Sequence, residues 1–311
     1  MSLAVVFPGQ GSQSVGMLAA LAAEQAVVRA TFEEASAVLG YDLWALVQGG
    51  PEEQLNSTER TQPAMLAAGV AVWRAWRAGG APEPAMLAGH SLGEFTALVC
   101  AEALAFKDAV AAVQFRGRVM QEAVPAGQGA MAAILGLEDA DVEAACAAAA
   151  AGEIVEAVNY NSPGQLVIAG HAAAVGRAVE AARARGAKRA LLLQVSVPAH
   201  SSLLRPAGER LRQHLAGLTL AVPRWPVYAL GLKRHDSAAA IREQVVAQLS
   251  SPVRWTDTVR DMIAHGATRI VECGPGKVLT SLNRRIERSK DITMQPIDDP
   301  ASLAAALATG A

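Results

Sequence analysis

A chain of 311 residues, 52% hydrophobic and 18% charged, can bury a core of one large domain, or of a large and a small one. Its formal charge of −2 offers no basic field for nucleic acid and no acidic excess that would favour disorder. The three cysteines, Cys100, Cys146 and Cys273, lie far apart, which excludes a disulfide framework or a zinc site and fits a reducing compartment.

The first predicted element is a strand over Leu3 to Phe7, apolar throughout and so buried on both faces. It ends at Pro8, with no basic residue before Arg29, and is too short for a signal peptide; no apolar run approaches the ~20 residues of a membrane span. A cytoplasmic protein with neither nucleic acid nor membrane as partner is expected. Gly9-Gln10-Gly11-Ser12-Gln13 follows, but Ser14 stands where a dinucleotide fingerprint needs its third glycine. What Gly9 and Gly11 do allow is close approach of the Gln10 backbone to another group at a strand end.

Ala85 to Ala88 predicts a second strand and Glu94 to Ala103 a helix, joined by Gly89-His90-Ser91-Leu92-Gly93. Gly-x-Ser-x-Gly at a strand-to-helix turn exposes a serine hydroxyl, and the N–H of Leu92, opening the helix, is a donor for a developing oxyanion. Ser91 is therefore the candidate nucleophile. In the next helical pattern, Asp108 to Val124, Arg116 falls on the apolar stripe of Ala109, Val113 and Met120, and Arg118 on the opposite side. An inward guanidinium needs an anionic partner, which is either an internal carboxylate or the carboxylate of a substrate.

Between about Ala126 and Val195 the elements run strand Ala130 to Leu135, helix Glu138 to Ala150, strands Ile154 to Val158 and Leu166 to Ala169, helix Ala172 to Arg185, and strand Leu191 to Val195. Asn159-Tyr160-Asn161-Ser162-Pro163-Gly164 reads as a turn-rich connection. This β-α-β-β-α-β order is that of a ferredoxin-like subdomain, although the same helices would also serve as crossovers of one continuous sheet.

Six histidines compete as the base. His214 reads as a solvated helix residue, His265 as a helix-end residue, His171 and His235 as turn residues, and His90 as structural, since neighbours on a tight turn point apart. His200 follows Leu191 to Val197 and Pro198, just past a strand end, which makes it the candidate. An unpaired loop histidine reads the same way, and no carboxylate near it completes a triad by spacing. A last strand, Arg269 to Glu272, stops at Gly274-Pro275-Gly276-Lys277, which lacks the spacing and the Ser/Thr of a phosphate loop.

Taken together, Phe7-Pro8-Gly9-Gln10-Gly11-Ser12-Gln13, Thr61-Gln62-Pro63-Ala64, Gly89-His90-Ser91-Leu92-Gly93-Glu94, Gln114-Phe115-Arg116-Gly117-Arg118, Asn159 to Gly164, Val195-Ser196-Val197-Pro198-Ala199-His200, Gln248-Leu249-Ser250-Ser251-Pro252-Val253 and Gly274 to Leu279 resemble the malonyl-CoA:acyl-carrier-protein transacylase family along essentially the whole chain. The resemblance implies an α/β fold, an α/β-hydrolase-like core with a mainly parallel sheet (residues 1–125 and 196–311) interrupted by the ferredoxin-like subdomain (126–195). It implies Ser91 as the acylated nucleophile and His200 as base, oriented by the backbone carbonyl of Gln248. It further implies an oxyanion hole from the Gln10 and Leu92 amides, and Arg116 as holder of the malonyl carboxylate.

The expected reaction moves malonyl from malonyl-CoA to the thiol of acyl carrier protein by ping-pong chemistry, with no metal and no cofactor beyond the coenzyme A thioester substrate. A free-standing enzyme of fatty acid synthesis is expected. A component of a polyketide or malonate decarboxylase system, a serine thioesterase or esterase, and a silent carrier-binding subunit are the alternatives. Lys188, Arg189, Arg284, Arg285 and Arg288 are candidate docking residues for an acidic carrier, or plain surface charge. One stretch departs from the family pattern: Tyr228 to Asp236 stands where relatives carry an Asn-rich segment leading to an Asp.

Overall fold

A computed structural model describes residues 2–195 and 197–309. Ser196, inside the motif that leads to His200 and at the expected return to the core, lies outside the described residues. Eight strands form two separate four-stranded sheets among these residues: β1 (Ser2–Phe7), β2 (Met86–Gly89), β3 (Gly129–Leu135), β4 (Val155–Ser162), β5 (Gln165–His171), β6 (Arg189–Leu192), β7 (Ala267–Cys273) and β8 (Thr293–Ile297).

The first sheet has the order β2-β1-β7-β8 and every pairing in it is parallel. Its central β1 carries Leu3, Val5 and Phe7 into one apolar cluster and Ala4 and Val6 into another, so both faces are covered. Such two-sided burial is what an unbroken apolar run requires of a strand. Over the Phe7 face lies the helix Thr58–Ala78, which buries Gln62 together with its apolar residues.

The second sheet has the order β4-β5-β3-β6 and is antiparallel throughout. Counted from its own first strand the order is 4-1-3-2 from one edge, with helices Asp139–Ala149 and Ala172–Ala184 between strands. That is the ferredoxin-like arrangement, and it rules out one continuous sheet. One face packs Ala132, Ile134, Leu166 and Ile168 against Val142 and Val175 of the helices, in a cluster separate from those of the first sheet.

Two local expectations are corrected. Asn159 to Gly164 is not a loop: β4 continues to Ser162, leaving Pro163 and Gly164 as the turn. Polar composition is overridden because the backbone finds partners on both sides, β5 and Val253, whose N–H donates to the Val158 carbonyl (2.8 Å) and whose carbonyl accepts from Tyr160 N–H (2.9 Å). Likewise the strand expected over Leu191 to Val195 is Arg189–Leu192. It is an edge strand of the antiparallel sheet, so His200 is delivered from the second sheet and not from a strand end of the parallel one.

Candidate active site

Ser91 sits between β2 and the helix Gly93–Cys100 with a left-handed backbone, φ 52°. A non-glycine residue held there stores about 1–3 kcal/mol of strain, which the surroundings must enforce. They do so by close packing: a Cβ on Gly89 would lie 1.9 Å from the Gly93 carbonyl carbon, and one on Gly93 would lie 2.1 Å from the Phe7 oxygen. The two glycines thus let the turn close on itself and on β1.

Two backbone N–H groups near this turn, those of Gln10 and Leu92, are the expected oxyanion donors. Phe7, the last residue of β1, is paired with Gly89, the last of β2, so the segments carrying Gln10 and Leu92 both leave the sheet at the same edge. Neither the Gln10 nor the Leu92 N–H has an acceptor among the described residues, so both are free to donate. Leu92 also opens the helix, whose dipole favours negative charge at that end.

His200 lies in the turn before a short helical stretch, buried and also left-handed, φ 67°. Its Nε2 is 2.7 Å from Ser91 Oγ and its Nδ1 is 2.8 Å from the Gln248 carbonyl oxygen. Because a carbonyl only accepts, the proton belongs on Nδ1, leaving the Nε2 lone pair to accept from the serine hydroxyl. Burial first, and then the positive charge of Arg116, push the His200 pKa down to about 3. The imidazole is therefore neutral and able to take a proton.

Arg116 faces inward from the helix Phe106–Ala123 and is 1% exposed, whereas Arg118 is exposed. It meets no carboxylate directly. Its Nη1 donates to Gln62 Oε1 (2.9 Å), and its Nη2 donates to Gln248 Oε1 (2.9 Å) and, at 3.4 Å, to Ser91 Oγ. Desolvation lowers its pKa to about 10, opposed by the charge of Glu94, so it stays a cation. A cation held by neutral amides beside the serine retains its charge for an incoming anion, and its planar fork suits a carboxylate.

Gln248 has a side chain as busy as its carbonyl. Besides accepting from Arg116, its Nε2 donates to the Ser91 carbonyl (3.0 Å) and to the buried Glu94 carboxylate. Reasoning from the sequence missed this, and with it the parts of Gln62, Glu94 and His235. Glu94 and Gln62 were findable, since each is a polar residue within an otherwise apolar helical face.

The other histidines divide as follows. His90 is half-buried, its Nε2 2.9 Å from Asn161 Oδ1, and it ties the serine turn to β4. His171 ends β5, and His265 closes its helix with Nδ1 2.8 Å from the Asp261 carbonyl. His214 is not simply solvated: it stacks on Phe115 at 4.2 Å. His235, expected in a turn, lies outside one and is buried with Nε2 2.8 Å from Glu94 Oε1. At Gly274-Pro275-Gly276 the following helix, Val278–Ile286, has its N-terminal N–H groups of Leu279 (3.0 Å) and Thr280 (2.7 Å) occupied by Glu272. The place a phosphate would need is filled by protein. Among the described residues no group of three or more His, Cys, Asp or Glu is arranged to hold a metal, and no helix is long and apolar enough to cross a membrane.

This chain matches the family model for the acyl transferase domain over residues 4–300. A malonyl CoA-acyl carrier protein transacylase of Salmonella typhimurium is 54% identical over 305 residues, 98% of either chain. An acyl carrier protein S-malonyltransferase from Vibrio cholerae, solved by crystallography, superposes with a TM-score of 0.94 at 55% identity, over 98% of this chain and 99% of that one. A malonyl-transacylase solved in complex with a type II PKS acyl-carrier protein superposes at 0.97 with 52% identity, over 99% of this chain and all of that one. Agreement of this extent in sequence and backbone, around a serine turn of the geometry just described, assigns the chain to the acyl transferase family.

Proposed function

We propose that the protein transfers malonyl from malonyl-CoA to the phosphopantetheine thiol of acyl carrier protein through a malonyl-serine intermediate. The observation that carries the chemistry is the 2.7 Å contact between His200 Nε2 and Ser91 Oγ, with Arg116 beside the same oxygen. The names of relatives about half identical along the full chain support the substrates.

In the first half-reaction Ser91 Oγ attacks the thioester carbonyl carbon as His200 Nε2 takes the hydroxyl proton. Negative charge gathers on the carbonyl oxygen, where the Gln10 and Leu92 amides donate. The C–S bond breaks, the coenzyme A sulfur receives the proton from His200, and malonyl remains as an ester on Ser91. The second half mirrors the first. The carrier's thiol gives its proton to His200, its sulfur attacks the ester carbonyl, and Ser91 Oγ leaves with that proton. Arg116 holds the far carboxylate of the acyl group throughout. The reaction calls for no cofactor beyond the coenzyme A thioester, and a cytoplasmic location suits its substrates.

The same reading treats residues 1–125 and 196–311 as a core interrupted by 126–195, which the separate apolar clusters of the two sheets support. Lys188, Arg189, Arg284, Arg285 and Arg288 are all exposed, and Arg285 reaches Gln165 of β5 (2.6 Å), so these charges line both units where an acidic carrier would dock. Incubation with malonyl-CoA followed by mass spectrometry tests the proposal. A malonyl adduct on Ser91 that persists in buffer and is discharged by holo acyl carrier protein is expected. Its absence sinks the transferase reading, and rapid loss to water would indicate a hydrolase.

A further inference from the structure

Next to Arg116 and His200 lies a run of buried polar side chains that the acyl-transfer steps do not use. Glu94, 3% exposed on the helix Gly93–Cys100, accepts from His235 Nε2 through one carboxylate oxygen and from Gln248 Nε2 through the other. The Gln248 amide then turns its oxygen to Arg116, and its backbone carbonyl orients His200. The direction of this chain is dictated by chemistry. A guanidinium only donates and a carboxylate only accepts, so the amide lying between them has one satisfactory orientation, with oxygen to Arg116 and nitrogen to Glu94. Glu94 is thereby the counter-charge of Arg116, relayed through a neutral amide.

What keeps Glu94 in place is His235. The segment that departs from the family pattern folds as a small hairpin, with Tyr228 bridged to Arg234 and Ala229 N–H donating to the Lys233 carbonyl (2.9 Å). It is anchored on β2 through the Leu87 to Val227 bridge, and it returns His235 beside Val227, where His235 N–H donates to the Val227 carbonyl (3.1 Å). The ring is buried, and its Nδ1 meets no partner among the described residues. Among the described residues Glu94 is therefore its one side-chain hydrogen-bond partner.

We propose that His235 is a positioning residue for the acyl-transfer site: by fixing Glu94 it locks the Gln248 amide, and so holds Arg116 ready for a carboxylated acyl group. The inference rests on the acyl-transfer reading above. It makes the Tyr228 to Asp236 hairpin a determinant of acyl selectivity.

The test compares His235→Gln, which keeps a donor near Nε2, with His235→Met, which keeps the volume and lacks the donor. Each is checked for folding by thermal denaturation and assayed with malonyl-CoA and acetyl-CoA. In His235→Met, kcat/KM for malonyl-CoA should fall about tenfold, mainly through KM, with acetyl-CoA changed by less than about threefold, because acetyl has no carboxylate for Arg116. His235→Gln should stay within about threefold of the parent with malonyl-CoA. Equal losses for both acyl donors, no loss in His235→Met, or a His235→Gln as impaired as His235→Met would each overturn the role. Should the methionine variant not fold, His235→Ala takes its place and is read by the same ratio. Failure of the acyl-transfer reading is seen separately, as a parent enzyme that forms no malonyl-serine.

Discussion

His200 Nε2 lies 2.7 Å from Ser91 Oγ, and both residues hold left-handed backbone, one at the exit of the antiparallel sheet and the other at the end of a parallel strand. Two strained residues, each in a turn that follows a strand of a different sheet, meet at one hydrogen bond. Asparagine tolerates this backbone better than most residues, so His200→Asn removes the base with little backbone penalty. Its rate of Ser91 acylation should fall about 10²- to 10⁴-fold, measured by rapid quench. Retention of a tenth of the parental rate would disqualify His200 as the base.

The depressed His200 pKa sets a pH profile. A histidine in water protonates near 6.5, whereas here burial and then Arg116 bring the value to about 3. Acylation should therefore show no His200 limb between about pH 5 and 8. In Arg116→Ala, assayed with acetyl-CoA, the second cause is removed while burial, the larger one, remains, so the acid limb should move upward but stay below the ordinary histidine range. Stability follows the same shift: below about 6.5 the unfolded chain takes up a proton that the folded protein refuses until about 3. The His200 contribution is thus complete above the first value and lost progressively as pH falls towards the second. Urea midpoints of the parent should fall more steeply with acidification than those of His200→Asn.

Arg116→Ala should lower kcat/KM for malonyl-CoA about 10- to 100-fold, the value of a charge-assisted hydrogen bond, and spare or raise that for acetyl-CoA. Steady-state assays with both thioesters decide it. Equal loss for both would contradict a carboxylate-binding role.

Gln62 holds the other arm of the guanidinium through its Oε1. Gln62→Ala leaves a buried donor unpaired and should destabilise the fold by about 1–3 kcal/mol in denaturant titration. Gln62→Glu should act differently, placing a resident carboxylate on Arg116 and raising KM for malonyl-CoA more than for acetyl-CoA. A Gln62→Glu enzyme with parental KM values would speak against Arg116 as the anion site.

Gly93→Ala would drive a Cβ to 2.1 Å from the Phe7 oxygen. Since that obstacle is backbone, relief must come from moving the serine turn away from β1. We expect a loss of stability of about 1–3 kcal/mol or more, with Ser91 acylation lost disproportionately. A variant with parental unfolding midpoint and activity would show that the turn does not depend on this contact.

Much of the frame was legible from the chain itself. The unbroken apolar run of β1 demanded burial on both faces, and Gly-x-Ser-x-Gly between a strand and a helix marked Ser91. Helical periodicity turned Arg116 inward. The second unit was legible as an order of elements. Its separation from the first sheet was not, because Ala-rich helices read alike as crossovers or as the cover of a small antiparallel sheet. Asn159 to Ser162 was misread as loop because its partners, β5 and Val253, lie elsewhere in sequence.

By itself, then, the sequence determined the elements whose rules are local: periodicity, turn chemistry, and the glycines around a nucleophile. Only the tertiary structure decided what surrounds the nucleophile. His200 is separated from Ser91 by 109 residues and Gln248 from Arg116 by 132. Whether a buried polar group is paired, with which atom and in which orientation, depends on chain segments that no local pattern relates. That is why Gln248, Glu94 and His235 became a connected support for Arg116 and His200 only once the chain was folded.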